Sequence, residues 1–140
     1  MGLTPEMIKW NNLIEKQIKK EKEMGFNEEV PKDISEDIKE LYNNLKKRIL
    51  DLGKDIKIVQ QKKYISFKAK SNFVDIEILK KYIKCHINMK KGVLKDPNKK
   101  TRDVSNLGHF GAGDYEITLN SIEDIDYFIF LAKQSYHNWR

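Results

Sequence analysis

The sequence predicts an α+β domain in which an antiparallel sheet of four to five strands carries helices on one face, in the order α-α-β-β-β-β-β-α. Three observations carry that prediction. Apolar residues recur every three or four positions up to Gly53, every second position between Ile56 and Leu119, and every three or four again from Ile122. The alternating segments follow one another through short links, which allows antiparallel but not parallel neighbours. Helical and extended patterns are segregated along the chain, as in domains whose helices cover one side of an antiparallel sheet.

Thr4-Pro5 opens the first helix, with a capping hydroxyl followed by proline at the first helical position, and Leu3, Met7, Trp10, Ile14 and Ile18 continue it towards Met24-Gly25. Lysines on its other side make it a helix laid on a domain. The stretch from Phe26 to Lys32 reads as a connector. Asp33 with Glu36 resembles a capping box, and Ile34, Ile38, Leu41, Leu45, Ile49 and Leu52 form an apolar stripe that ends at Gly53. Residues 1–32 therefore read as an N-terminal helix and connector, and residues 33–140 as the α+β domain.

A short strand around Ile56 to Val59 precedes three longer ones in "KKYISFKAK", "NFVDIEIL" and "KYIKCHINM". Strict alternation puts Ile65, Phe67, Val74, Ile76, Cys85 and Ile87 on the core face. The same rule puts Tyr64, Lys68, Phe73, Asp75, Glu77, Tyr82, Lys84 and His86 on the other face. Tyr115, Ile117 and Leu119 define a last strand, after which Ser121 and Asp124 cap a helix with Ile122, Ile125, Phe128, Ile129, Ala132 and Tyr136 inward.

Charge is distributed unevenly. Residues 1–53 hold 10 basic and 11 acidic side chains, residues 54–113 hold 15 and 5, and residues 114–140 hold 2 and 5. The excess that makes the chain +6 therefore lies in the middle and attracts polyanions. A solvated lysine-rich surface would show the same count. The lone cysteine, Cys85, allows neither an internal disulfide nor a four-cysteine metal site, which fits a reducing, cytoplasmic setting. No apolar run approaches the roughly 20 residues that span a bilayer, so membrane partners are not expected.

Few motifs carry chemistry. No phosphate-loop, dinucleotide-loop or HExxH pattern occurs, and no cofactor or metal is implied. Cys85 and His86 point to opposite faces and cannot act together, so Cys85 reads as a small buried hydrophobe. Asp75 and Glu77 share a face, where charge pairing with Lys68, Lys70 or Lys84 accounts for them better than a metal does. Aromatics among cations on the outer face, Tyr64, Phe73 and Tyr82 with Lys68, Lys70, Lys84 and His86, could stack bases and hold phosphates, with Lys62 and Lys63 beside them. The same aromatics could instead pack on the first helix or on a second copy of the chain.

The loop from Lys90 to Asp114 ends in "RDVSNLGHFGAGD", where Gly108, Gly111 and Gly113 permit close backbone approach and leave N–H groups free to face an anion. Arg102, Ser105, His109 and Asp114 would add a guanidinium fork, a hydroxyl, an imidazole and a carboxylate to such a site. Alternatively, the glycines only turn the chain into the last strand.

This run, together with "ELYNNLKKRILDLGKDI", "KKYISFKAKSNFVDIEILKK" and "DYEITLNSIEDIDYFIFLAKQSY", resembles a bacterial and archaeal family of domains of unknown function. That family is labelled in places as a predicted transport protein, and it occurs alone or C-terminal to PD-(D/E)XK-type nuclease domains. The resemblance runs from about Ser35 to Tyr136, with Phe110 where the family often has tryptophan. The resemblance supplies no established reaction; with the charge layout it points to an accessory domain associated with nuclease or defence systems, non-enzymatic by itself and with no catalytic residue assigned, that binds a phosphate-rich ligand through Lys62, Lys63, Lys68, Lys70, Arg102 and His109. DNA, RNA, a nuclease protein or a second copy of the chain are the partners this reading admits. A second reading is a small-molecule or enzymatic pocket at the glycine loop, with His109 as acid or base beside Arg102 or Asp114. A third is a protein-interaction module docking through the first helix or the aromatic sheet face.

Overall fold

The computed structural model describes residues 4–9, 30–31, 33–90, 92–105 and 114–138. Residues 5–9 are helical, and the Thr4 hydroxyl accepts from the Met7 N–H at 3.1 Å as the sequence requires. The helix expected to run on from Trp10 towards Met24 lies outside the described residues.

Helix α1 (Glu36–Leu50) has Ser35 as its N-cap, with Oγ accepting from the Ile38 N–H at 3.2 Å. The expected Asp33 and Glu36 box is not formed; Asp33 instead pairs with Lys80 at 2.8 Å. Acidic residues in the first turn and basic ones in the last complement the helix dipole. Ile38, Leu41, Leu45 and Ile49 are buried on its inner face. The strands are β1 (Lys57–Gln60), β2 (Ile65–Lys68), β3 (Asn72–Ile78), β4 (Ile83–Ile87), β5 (Arg102–Asp103) and β6 (Tyr115–Leu119). A short 3-10 turn (Ile122–Asp124) leads into α2 (Ile125–Asn138). There the Asp124 carboxylate accepts from the Asn120 and Ser121 N–H groups at 3.1 and 3.2 Å.

The sheet has six strands in the order β1-β2-β3-β4-β6-β5, every described pair antiparallel. The expected count of four to five is corrected by β5, which spans two residues, both exposed, and so carries no alternation to read. Helix α2 lies across β3 and β4 and α1 packs on α2, giving helices on one face as predicted. Between these layers Ile65, Phe67, Val74, Ile76, Cys85, Ile87, Ile117 and Leu119 meet Phe128, Leu131 and Ala132 in one core. Burial pushes the Cys85 thiol far up, keeping it neutral and unreactive.

Alternation fails at one place. Lys68 pairs with Asn72, so an extra residue is accommodated in β3 before Val74 returns opposite Phe67. This bulge carries Phe73 off the outer face and into the core, where it is 1% exposed and meets Tyr136 edge-on with centroids 5.3 Å apart. The Ser135 hydroxyl donates to the carbonyls of Phe73 and Asn88, both at 2.9 Å, and so ties α2 to the bulge. Ile122 also departs from expectation, being 51% exposed, because the 3-10 turn rotates it out of the apolar stripe.

Two substitutions test this packing. Phe73→Ala should lower unfolding free energy by about 3 to 5 kcal/mol in urea titration, as large-to-small changes in aromatic cores do. A Cβ on Gly53 would lie 1.8 Å from the Tyr136 hydroxyl, which itself donates to Asp55 at 2.7 Å. Gly53→Ala should therefore break that bond and cost about 1 to 3 kcal/mol.

Candidate functional site

The sheet face turned away from α1 and α2 carries a row of polar side chains at its centre. Register places Ser66, Asp75, His86, Glu116 and Arg102 side by side on five successive strands. The Ser66 hydroxyl and the Asn72 amide donate to Asp75 Oδ1 at 2.6 and 2.8 Å. His86 Nε2 lies 3.1 Å from Glu116 Oε2, and Arg102 donates to Glu116 Oε1 at 3.1 Å. Ser66, Asp75, His86 and Glu116 are all buried, and their mutual bonds are what make that burial tolerable. One step along the strands, Glu77 and Lys84 pair at 3.8 Å, as the spacing suggested.

This row does not have the order that activates a nucleophile. A serine needs the imidazole as its neighbour, with the carboxylate behind. Here Asp75 stands between Ser66 and His86 in the register. Among the described residues no group of three histidine, cysteine or acidic side chains could hold a metal.

The stretch between β4 and β5 is organised by one side chain. Asp96 accepts from the Lys100 N–H at 3.1 Å, from the Thr101 N–H at 2.9 Å, from the Thr101 hydroxyl at 2.6 Å, and from the Tyr127 hydroxyl of α2. The Tyr127 hydroxyl also accepts from the Asn98 N–H at 3.0 Å, and the Gln134 side chain binds both the N–H and the carbonyl of Lys95 at 2.9 and 2.8 Å. The segment is thus clasped along α2, and the long loop expected from Lys90 to Asp114 is interrupted by ordered contacts and by β5. Lys99 holds a left-handed backbone with φ of 50°, which costs a side-chain-bearing residue about 1 to 2 kcal/mol. Lys90, Lys95, Lys99, Lys100 and Arg102 are all exposed. Among the described residues the four lysines form no ion pair. The carboxylate of the segment, Asp96, faces inward onto the clasp.

The residues singled out from sequence fall into separate regions. Lys62, Lys63, Tyr64 and Tyr82 stand in or beside the β1–β2 and β3–β4 turns at one end of the sheet. Lys84 lies near that end, whereas Lys68 and Lys70 lie at the other, with Lys57 directly opposite Lys68 across the β1–β2 ladder. Arg102 and Asp114 flank the base of the glycine loop. There the Val104 N–H donates to the Asp114 carbonyl at 2.8 Å, the Asp114 N–H donates to Met89 at 3.4 Å, and the Ser105 N–H donates to the Asp103 carboxylate at 2.9 Å. Gly108, His109, Gly111 and Gly113 lie outside the described residues. A cleft of about 360 Å³ opens near the β1–β2 turn between Pro31, Gln60, Lys63, Tyr64 and Glu77. The aromatic most exposed to solvent among the described residues is Phe130 on α2, at 44%. The sequence offered a faint hint of it, since Phe130 falls outside the stripe of Ile125, Phe128, Ala132 and Tyr136.

Comparison with known proteins adds a family and one relative. A family model described as a domain of unknown function, DUF5655, matches residues 28–138. An uncharacterized protein of Haemophilus influenzae is 46% identical over 98 residues, covering 70% of this chain and 32% of the relative. The chain spans about a third of the length of that curated relative. No solved structure matches. No described helix is long and apolar enough to cross a membrane.

Burial alone would push the Asp96 carboxyl up, but the bonds from Thr101, Tyr127 and Lys100 outweigh it and bring it from 3.8 to about 2. Burial and the Asp96 carboxylate push the Tyr127 phenol up in turn. A pKa lower in the folded than in the unfolded chain stabilises fully above the unfolded value, and this contribution is lost as pH falls from 3.8 through about 2. Asp96→Asn should cost about 1 kcal/mol at neutral pH, since the carboxylate is partly exposed. Its stability gap to the wild type should close between about pH 5 and about pH 2, measured by urea titration at each pH.

Proposed function

Because the chain belongs to the DUF5655 family of domains of unknown function, we propose from its surface chemistry that it is a polyanion-binding accessory domain, without catalysis of its own. The observation that carries this reading is the clasp. Asp96, Tyr127 and Gln134 immobilise a segment whose cations all face solvent, and the carboxylate that could neutralise them is turned inward. Holding the backbone of several lysines in one short segment concentrates positive charge, and an anion relieves the repulsion. Lysine kept at the left-handed position of Lys99, where glycine would be unstrained, points the same way.

Nucleic acid is the polyanion this reading names, held through phosphates by Lys95, Lys99 and Lys100. The facing pair Lys57 and Lys68 extends the positive field to the opposite edge strand. A match covering a third of a longer relative supports an accessory role, and the partner protein proposed is a nuclease, in line with the resemblance seen in the sequence. A catalytic reading draws less support, since the buried Ser66, Asp75, His86 and Glu116 are engaged with one another in an order unsuited to nucleophile activation.

Binding to duplex DNA should weaken steeply with salt, and Lys99→Gln with Lys100→Gln should flatten the slope of log K against log salt by about 0.9 for each phosphate no longer neutralised. Lys62→Gln with Lys63→Gln, at the far end of the sheet, should change it little. Lys99→Gly separates function from fold, because it should raise stability by about 1 kcal/mol while weakening DNA binding. Unchanged affinity and slope in the Lys99 and Lys100 double variant would overturn the assignment.

A further inference from the structure

We infer that the face built from α2 and the clasped segment takes single-stranded nucleic acid, with Phe130 as the platform on which a base stacks. The inference rests on the polyanion reading and narrows its ligand. Phe128, two positions earlier, is completely buried, whereas Phe130 leaves 44% of its surface in water. Its ring is not loose. Tyr127 lies beside it with centroids 5.8 Å apart and an interplanar angle of 41°, and Tyr127 is itself fixed by Asp96 and Asn98.

The cations are arranged around this ring by the fold. Lys95 is bonded through its backbone to Gln134, one turn beyond Phe130, and Asn98 to Tyr127, one turn before it. The segment from Lys95 to Lys100 therefore runs alongside the exposed ring. Lys133, three residues on along the helix and exposed, lies within side-chain reach of it as well. A half-exposed ring bordered by unpaired ammonium groups suits a chain of unstacked bases with phosphates on either side. A duplex hides the base faces that such a ring would meet. A bilayer surface would require a broad apolar face to insert, and here Asp126, Lys133 and Gln134 share the exposed side of the helix with the ring.

The test compares Phe130→Ala, Phe130→Trp and the unmodified chain by fluorescence anisotropy on an oligothymidylate and by heparin binding, with thermal melts as a folding control. Phe130→Ala should lose roughly fivefold or more in affinity for the oligothymidylate. It should keep its heparin affinity and its melting temperature, and Phe130→Trp should bind the oligothymidylate at least as well as the unmodified chain. Unchanged oligothymidylate affinity in Phe130→Ala, with heparin still bound, would overturn the stacking site and leave the polyanion reading standing. Failure of the unmodified chain to bind heparin at low salt would overturn both. Phe130-dependent binding to vesicles of anionic phospholipid, without binding to the oligothymidylate, would assign the face to a lipid surface and also overturn the inference.

Discussion

Strand register is the constraint on which this molecule depends, because both faces of the sheet fix it at once. With Ile76 opposite Cys85 and Cys85 opposite Ile117, the helix side receives an unbroken apolar row. The same alignment sets Asp75 beside His86 and His86 beside Glu116 on the other side. A slip of any one of these strands by one residue would drive its own polar member, Asp75, His86 or Glu116, into the layer beneath α2, where nothing could satisfy it, and would turn its apolar residues outward. Many sheets are specified by one buried face. Here the penalty for misalignment arises on both, since the polar row is itself buried and stable only when its members meet.

The helices inherit their placement from that sheet. Helix α2 must cover β3 and β4, and it is held at the bulge by the Ser135 hydroxyl, which bonds the Asn88 carbonyl and joins the Asn88 N–H on the Phe73 carbonyl. The bulge also supplies Phe73 to the core, so a local break in the ladder increases the apolar area under the helix. Helix α1 then closes the layer, with an exposed ion pair between Arg48 and Asp126 at 2.7 Å adding little beyond orientation.

The proposed binding surface lies on the outer side of α2. A segment rich in lysine would ordinarily remain a solvated loop. Its attachment to Tyr127 and Gln134 instead makes it a shaped surface continuous with the helix. Cations and an exposed aromatic side chain come together there without any residue from the sheet's polar face, whose buried members are occupied with one another.

The amino-acid sequence by itself determined what is local and periodic. The repeat of 3.6 residues placed α1 and α2, the repeat of 2 placed β1 to β4 and β6, and alternation alone put Cys85 inside and opposed to His86. It also located the excess positive charge between residues 54 and 113. What only the tertiary structure decided depends on pairing between distant residues. The bulge arises from how β2 meets β3, so no pattern within β3 announces that Phe73 turns inward. Strand β5 exists because β6 offers an edge to two residues that have no extended preference of their own. The burial of Asp75, His86 and Glu116 required knowing that three strands align them, and the lysines expected to form one patch lie at two ends of a sheet whose turns separate them. Charge composition adds up along a chain, whereas a binding surface depends on where the folded backbone sets each charge down.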